Sequence, residues 1–355
     1  MKYIILLSIC MLLFSCKDSK TETLKDREIS IELKSISTDT LSVRALDYKN
    51  GNFWFAGNRS TYGRVNDSSF TLDKGKVVFN DNDSLEFRSI AVTDDFTFIL
   101  TAGDPALIYK ISHANDSLAL VYEETGETVF YDSMKFWNEN DGIAMGDPQA
   151  DCFSVLITND GGDNWKKVSC EILPKIIEGE AAYAASNSNI ALQGNHIWIA
   201  TGGMAARILH SPDRGASWEI QKTPITNGGE MTGIYAVDFY DENLGVIIGG
   251  DWNEKENQTA NKAITYDGGK TWNLIADGNG PGYCSDITFV PGSNGNELVA
   301  VGSPGIWWSG NQGVDWKQLS TTGFYTISFS NASNGILAGS NQISSFELLE
   351  TVSID

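Results

Sequence analysis

The chain has 355 residues, of which 41% are hydrophobic and 35 are glycine, enough apolar surface for a large core and enough turn material for many short strands. This excludes disorder as the default state. The formal net charge of -21 argues against a nucleic-acid groove or an anionic membrane surface, since both demand a positive footprint, and favours a cationic or neutral partner.

Lys2 precedes an apolar run over residues 3–14 that is too short for a permanent membrane span and predicts a cleaved export signal. The run ends in Leu13-Phe14-Ser15-Cys16, which resembles a bacterial lipobox, so cleavage would leave Cys16 as a lipidated N-terminal residue. Residues 1–15 are then the signal, 16–27 a polar tether and 28–355 the folded domain. Lys17, rather than Asp, follows the cysteine, which directs the protein to the outer membrane. No later segment is long and apolar enough to span a bilayer.

Residues 29–36 alternate apolar and polar side chains (Ile29, Ile31, Leu33) without a hairpin partner of their own. From there one pattern recurs: an apolar-alternating strand, a polar turn, and an apolar strand ending in Gly plus a small or acidic residue. Its seven copies begin at Val43, Phe87, Tyr131, Ala184, Ile234, Tyr283 and Phe324, a spacing of roughly 40 to 50 residues that matches a four-stranded propeller blade. The period-2 alternation excludes a helical solenoid.

Four copies are followed by Ser/Thr-x-Asp-x-Gly-x-x-Trp: TNDGGDNW at 158–165, SPDRGASW at 211–218, TYDGGKTW at 265–272 and SGNQGVDW at 309–316. This is the Asp-box, in which the carboxylate accepts backbone N–H bonds across a hairpin, the Gly permits positive φ and the Trp packs between sheets. Asn311 stands where the other copies have Asp160, Asp213 and Asp267. The last copy has three strands before the chain ends, so the 29–36 segment is expected to supply the fourth and close an all-β, seven-bladed propeller without a free edge.

After Cys10 and Cys16 are assigned to signal and lipid, Cys152, Cys170 and Cys284 remain, so one is expected to be unpaired. Cys152 and Cys170 flank the turn around Gly161 symmetrically. They are either a cross-strand disulfide or two buried thiols.

In such a blade the residues that open the inner strand and those that close the second strand meet on the face away from the Asp-boxes. The first set holds Arg44, Arg88, Asp132 and Glu180. The second holds Asn58, Asp104, Asp147 and Asp251, with Trp252 beside it and Arg207 slightly farther out. Together they predict a mixed-sign channel mouth, to which the long 251–262 loop also belongs. Asp before Pro at Asp104 and Asp147 equally suits plain turn chemistry.

Catalysis finds weaker support. Arg44, Arg88 and Arg207 could form a sialidase triad with Tyr131 or Tyr235 as nucleophile, yet the Arg-Ile-Pro segment of sialidases is missing. His113, His196 and His210 are far apart in the chain, with no Cys or His at ligand spacing, so no zinc site is expected. No phosphate loop, dinucleotide fingerprint or nucleophile elbow is present, and no cofactor is implied.

Arg44 and Arg88, the Gly-Asp-Pro strand ends, GEAAYAASNS at 179–188, ARILHSPDRGASW at 206–218 and the repeated TxDGGxxW boxes resemble the photosystem II stability/assembly factor-like propellers over nearly all of the mature chain. That resemblance implies a non-catalytic scaffold that grips a protein partner partly through arginines on one face; some relatives carry a nominal oxidoreductase label. The expectation is a monomeric envelope lipoprotein that binds protein or peptide at the mouth and touches the membrane only through its lipid. A glycan-binding or glycan-cleaving propeller is the alternative.

Overall fold

The repeat's second strand is its most apolar one, as in Asn52–Gly57 (NFWFAG), where every residue but the first is buried. A strand buried on both faces needs neighbours on both faces, and stacking the sheets radially supplies them. The computed structural model describes residues 27–80 and 84–352, and the expected export signal, Cys16 and nearly all of the expected tether lie outside them. These residues form seven antiparallel blades around a channel.

Each blade runs from an inner strand outward. Blade 1 comprises Val43–Lys49, Asn52–Gly57, Thr61–Asn66 and Leu72–Lys76, and blade 2 comprises Phe87–Val92, Phe96–Thr101, Ala106–Ser112 and Leu118–Glu124. Blade 3 comprises Tyr131–Phe136, Gly142–Pro148, Phe153–Thr158 and Lys166–Lys167, and blade 4 Ile190–Gln193, His196–Ala200, Arg207–Ser211 and Glu219–Lys222. Blade 5 comprises Thr232–Phe239, Gly245–Asp251, Lys262–Thr265 and Asn273–Leu274, and blade 6 Asp286–Phe289, Leu298–Gly302, Gly305–Ser309 and Lys317–Ser320.

Blade 7 holds Thr326–Phe329, Asn334–Gly339 and Gln342–Val352, and its outer strand is Arg27–Ser37, paired antiparallel with Gln342–Val352. The predicted closure is present. Ile29 is buried against Trp308, Phe346 and Leu348, with Ile31 and Leu33 packed at the margin of the same cluster. Core clusters lie between successive blades, so each blade depends on both neighbours.

The four box turns share one geometry. Asp160 Oδ1 accepts the amide of Asn164 at 3.0 Å, Asp213 that of Ser217 at 2.7 Å, Asp267 that of Thr271 at 2.8 Å, and the Asn311 carbonyl oxygen that of Asp315 at 2.9 Å. Asparagine serves because the acceptor oxygen, not the charge, closes the turn. Hydrogen bonds from Asn164 hold the Asp160 carboxyl at about 2. Cys152 and Cys170 form a disulfide, and Cys284 is a buried free thiol.

Blade 4 departs from the expected repeat. Its inner strand begins at Ile190, six residues later than the copy read from Ala184, because the Ser-Asn-Ser-Asn run at 186–189 has no apolar alternation to pack in a blade. Upstream, Glu180–Ala181 pairs with Gly202–Gly203, which in turn joins the inner strand of blade 5.

Candidate functional site

Four inner strands carry a bulge at the same place. In blade 1 Val43 pairs with Gly57 and Ala45 with Ala56, so Arg44 is left out of the ladder; Arg88, Asp132 and Tyr235 are left out in the same way in blades 2, 3 and 5. A bulge re-aims the extra side chain, here at the channel mouth. It also explains the recurrent Gly that closes the second strand: a Cβ at Gly146 would stand 2.1 Å from the Phe130 carbonyl oxygen.

The mouth has a floor. Residues 182–189 leave the wall of blade 4 and cross the channel, and their polar groups bond to all six other blades. Arg44 Nη1 (blade 1) donates to Ala185 O at 3.4 Å, Asn187 Nδ2 donates to Ile90 O (blade 2) at 2.8 Å, and the Met134 amide (blade 3) donates to Asn187 Oδ1 at 3.1 Å. The Val237 amide (blade 5) donates to Ser188 O at 2.8 Å, Ser188 Oγ donates to Asp286 Oδ1 (blade 6) at 2.6 Å, and Thr326 Oγ1 (blade 7) donates to Ser186 O at 3.3 Å. The channel is therefore two cups with this strap between them.

The cup on the Asp-box side is a cavity of 410 Å³ lined in part by Asp47, Lys135, Asp238 and Asp286. Its carboxylates are clips between neighbours. Asp47 accepts the Val92 amide of blade 2 at 3.0 Å, Asp238 the Phe289 amide of blade 6 at 2.9 Å, and Asp286 the Ile327 amide of blade 7 at 3.0 Å. Burial raises all three, Asp286 to about 6.

The opposite cup is the predicted mouth. The Arg44 guanidinium lies 4.0 Å over the Tyr325 ring, and burial with Arg88 nearby lowers its pKa. Arg88 donates through Nε and Nη2 to Glu86, at 2.9 and 2.7 Å. Asp132 is fully buried, and neither of its oxygens has a hydrogen-bonding partner; the Ala184 amide faces it without reaching bonding geometry. Burial and the neighbouring Asp147 push its carboxyl well above the usual range. Asp147 accepts the Ala182 amide of the strap at 2.8 Å, and burial raises it to about 6. Asp251 accepts the Asn253 amide at 2.8 Å, and Trp252 is 45% exposed with the Lys255 ammonium 4.3 Å over its ring. The 251–262 loop docks on the mouth through Lys255 O, which accepts the Tyr283 amide at 2.9 Å.

Other candidates are engaged elsewhere. Glu180 is buried and accepts Nε of Arg207 at 2.9 Å and the Thr201 hydroxyl at 2.7 Å, so this pair ties the strap's root to blade 4. Asp104 is exposed and accepts the Gly126 amide at 3.2 Å, while Asn58 accepts the Ser42 amide at 2.9 Å. The three arginines weighed as a sialidase triad have separate partners in Tyr325, Glu86 and Glu180. Tyr131 and Tyr235 donate their hydroxyls to Glu124 and to Met231 O, and burial raises both phenols. Neither is poised as a nucleophile.

Two features went unread in the sequence. Tyr183 stacks on Tyr235 with centroids 4.0 Å apart, Tyr235 meets Tyr283 edge-on at 4.7 Å, and with Tyr325 they give the mouth an aromatic wall. Tyr235 shares the bulged position of Arg44 and Arg88, so aligning the copies at that column would have found it. His196 and His210, far apart in sequence, come together: His196 Nδ1 and His210 Nε2 lie 2.8 Å apart, and His210 Nδ1 is 2.8 Å from Glu219. Strand pairing of Trp198 with His210 causes this. Among the described residues the one group spaced for a metal is Asp151, Cys152 and Cys170, whose sulfurs are joined as the disulfide.

No protein-family model matches the chain, and no curated protein does. Solved structures do. "YCF48 bound to D1 peptide" superposes with a TM-score of 0.66 at 14% identity, covering 90% of this chain and 94% of that one. "YCF48 from Cyanidioschyzon merolae" gives 0.63 at 12% identity, covering 89% and 98%. "Crystal structure of RRP9 WD40 repeats" gives 0.65 at 11% identity, covering 91% and 100%. At these identities the likeness establishes the fold, a seven-bladed propeller shared by a photosystem II assembly factor and by WD40 proteins.

Proposed function

We propose that this propeller is a non-enzymatic scaffold that binds a protein or peptide segment in the floored mouth. The observation that carries the reading is the mouth itself. The strap denies a ligand passage through the ring, while Arg44 on Tyr325 with Arg88 on one side, and Asp147, Asp251 and Tyr183 on the other, offer charge and aromatic surface to an entering segment. The shared fold with a propeller whose described complex holds a peptide supports peptide binding by this architecture.

The proposal extends to the envelope, with Cys16 lipidated. Arg27–Ser37 begins on the Asp-box side, since Ser37 pairs with Ile343 next to the turn between the second and third strands while Arg27 pairs with Val352 at the far end. A lipid at Cys16 would thus join the propeller through a strand that begins on its Asp-box face.

The test is capture from solubilised envelope by residues 17–355, comparing wild type with an Arg44→Ala, Arg88→Ala, Asp147→Ala variant of verified fold. A protein retained by wild type and lost by the variant supports the scaffold. Retention on polysaccharide with no captured protein transfers the reading to glycan recognition.

A further inference from the structure

The mouth contains a buried carboxyl that lacks a hydrogen-bonding partner and a counter-charge. Asp132 is wholly buried and both of its oxygens are without partners, although buried carboxylates are ordinarily hydrogen-bonded or paired. Arg88, the cation that acts on it from blade 2, has its guanidinium committed to the exposed Glu86 instead. From blade 3 the facing group is a second carboxylate, Asp147, and from the strap the facing amide is that of Ala184.

Aromatic faces gather at the same corner. Tyr183 feels both Asp147 and Asp251, and its hydroxyl is fixed by donation to Glu230 O at 3.0 Å and Thr232 O at 2.8 Å. Its ring is held stacked on Tyr235, which also feels Asp251. Thr232 is the strand partner of Asp251, and the Trp252 amide donates to Met231 O, so the loop, the tyrosines and the carboxylates are one unit. The chain's own Lys255 already rests on Trp252, showing that this corner takes an ammonium group on an aromatic face.

We propose that this corner, Asp132, Asp147 and Asp251 around the Tyr183–Tyr235 stack, is a receptor for one lysine ammonium of the bound segment. The inference rests on the peptide-binding reading and names the group that the mouth selects. A compact point charge on an apolar stem suits a site whose deepest carboxyl is screened from direct contact, because the ammonium would be received by Asp147 or Asp251 and its approach would draw Asp132 toward the ionised form. A divalent ion fits less well, since calcium takes six to eight oxygen ligands. Lysine binding completes the missing pairing and favours the ionised form of both Asp132 and Asp147.

The experiment titrates the full chain in detergent with acetyl-Gly-Gly-Lys-Gly-Gly-amide and with its norleucine counterpart, followed by NMR at pH 5 and pH 8. The lysine peptide is expected to bind about tenfold or more tighter, the scale of a charge-assisted hydrogen bond. The preference should grow from pH 5 to pH 8, because Asp147, raised to about 6, becomes ionised across that interval. Asp147→Asn and Asp251→Asn should each reduce it, and the half-buried Asp251 keeps the test available where the Asp147 variant fails to fold. Equal affinity for both peptides at both pH values, or a lysine preference that survives both substitutions, overturns the assignment. If wild type captures a protein from the envelope yet shows no lysine preference, this inference alone falls. If it captures none, the reading beneath it falls as well.

Discussion

Replacing Asn187 by alanine tests whether the strap is a structural member or a loosely held loop. Its side chain is 1% exposed and spans two blades, accepting from the Met134 amide at 3.1 Å and donating to Ile90 O at 2.8 Å. Truncation leaves a buried donor and a buried acceptor unsatisfied, at about 1 to 3 kcal/mol for each. Asn187 also has φ of 67°, a region asparagine tolerates and alanine does not, which adds about 1 kcal/mol. A loss of about 3 to 7 kcal/mol follows, and at roughly 1.5 °C per kcal/mol for a chain of this size the melting point should fall by about 5 to 10 °C. Asn187→Asp keeps the acceptor for Met134 but sets a carboxylate against the Ile90 carbonyl, so its deficit should be larger at pH 8 than at pH 5. The assay is thermal unfolding by circular dichroism with hydrogen exchange at the Met134 amide. A melting point within about 1 °C of wild type, with that amide still protected, would refute the strap's structural role.

Removing residues through Ser37 exposes Gln342–Val352 as an open edge and should abolish cooperative unfolding; an unchanged melting curve would contradict the closure. Gly146→Ala should cost more than about 2 kcal/mol because its Cβ meets the Phe130 carbonyl oxygen, whereas Gly103→Ala, in the matching Gly-Asp-Pro of blade 2, has open space and should be silent in the same denaturant titration. Asp286 is raised from 3.8 to about 6, so the folded state holds its proton more tightly than the unfolded chain does. Its contribution is complete below about pH 3.8 and is lost as pH rises through 6. The melting-point difference between wild type and Asp286→Asn should therefore shift against wild type from pH 4 to pH 6.5, and a constant difference would argue against the raised pKa.

The blades were legible because their determinants are local. Strand alternation, box turns and the glycines that admit the bulged strand all fall within one repeat, and seven copies of a weak pattern reinforce one another. The closing strand was legible by subtraction: Ile29, Ile31 and Leu33 alternated with no partner nearby, and blade 7 lacked a strand. The strap was not legible, because Ala184 to Asn189 sits at the position of an inner strand and its bonding partners are as distant in sequence as Arg44 and Thr326. The mouth's charged residues stood out, while Tyr183 and Tyr283 were not singled out and Tyr235 was weighed only as a nucleophile, because the cluster they form joins residues distant in sequence. Glu180 and Arg207 were singled out for the rim by strand counting, and the structure pairs them with each other at the strap's root. Their mutual pairing depends on the turn into Gly202–Gly203, which no local pattern announced.

The departures from the repeat gather around blade 4, and there is a physical reason for them to be together. A regular blade satisfies its backbone in the ladder and its apolar faces against two neighbours, so it asks nothing of the ring's centre. A segment that leaves the wall forfeits the ladder and must recover its hydrogen bonds from side chains and carbonyls across the channel, which calls for short polar residues able to act as both donor and acceptor. Ser186, Asn187, Ser188 and Asn189 are such a run, and Asp286, Thr326 and Arg44 are their counterparts on blades 6, 7 and 1. Among the described residues Asp132 is the buried carboxyl with neither oxygen hydrogen-bonded, beside single unpaired atoms such as Asn189 Oδ1 and Ser133 Oγ. A sequence that pairs nearly all of the strap's polar groups yet buries a whole carboxyl without a partner breaks its own pattern at the place where a ligand would supply the missing charge.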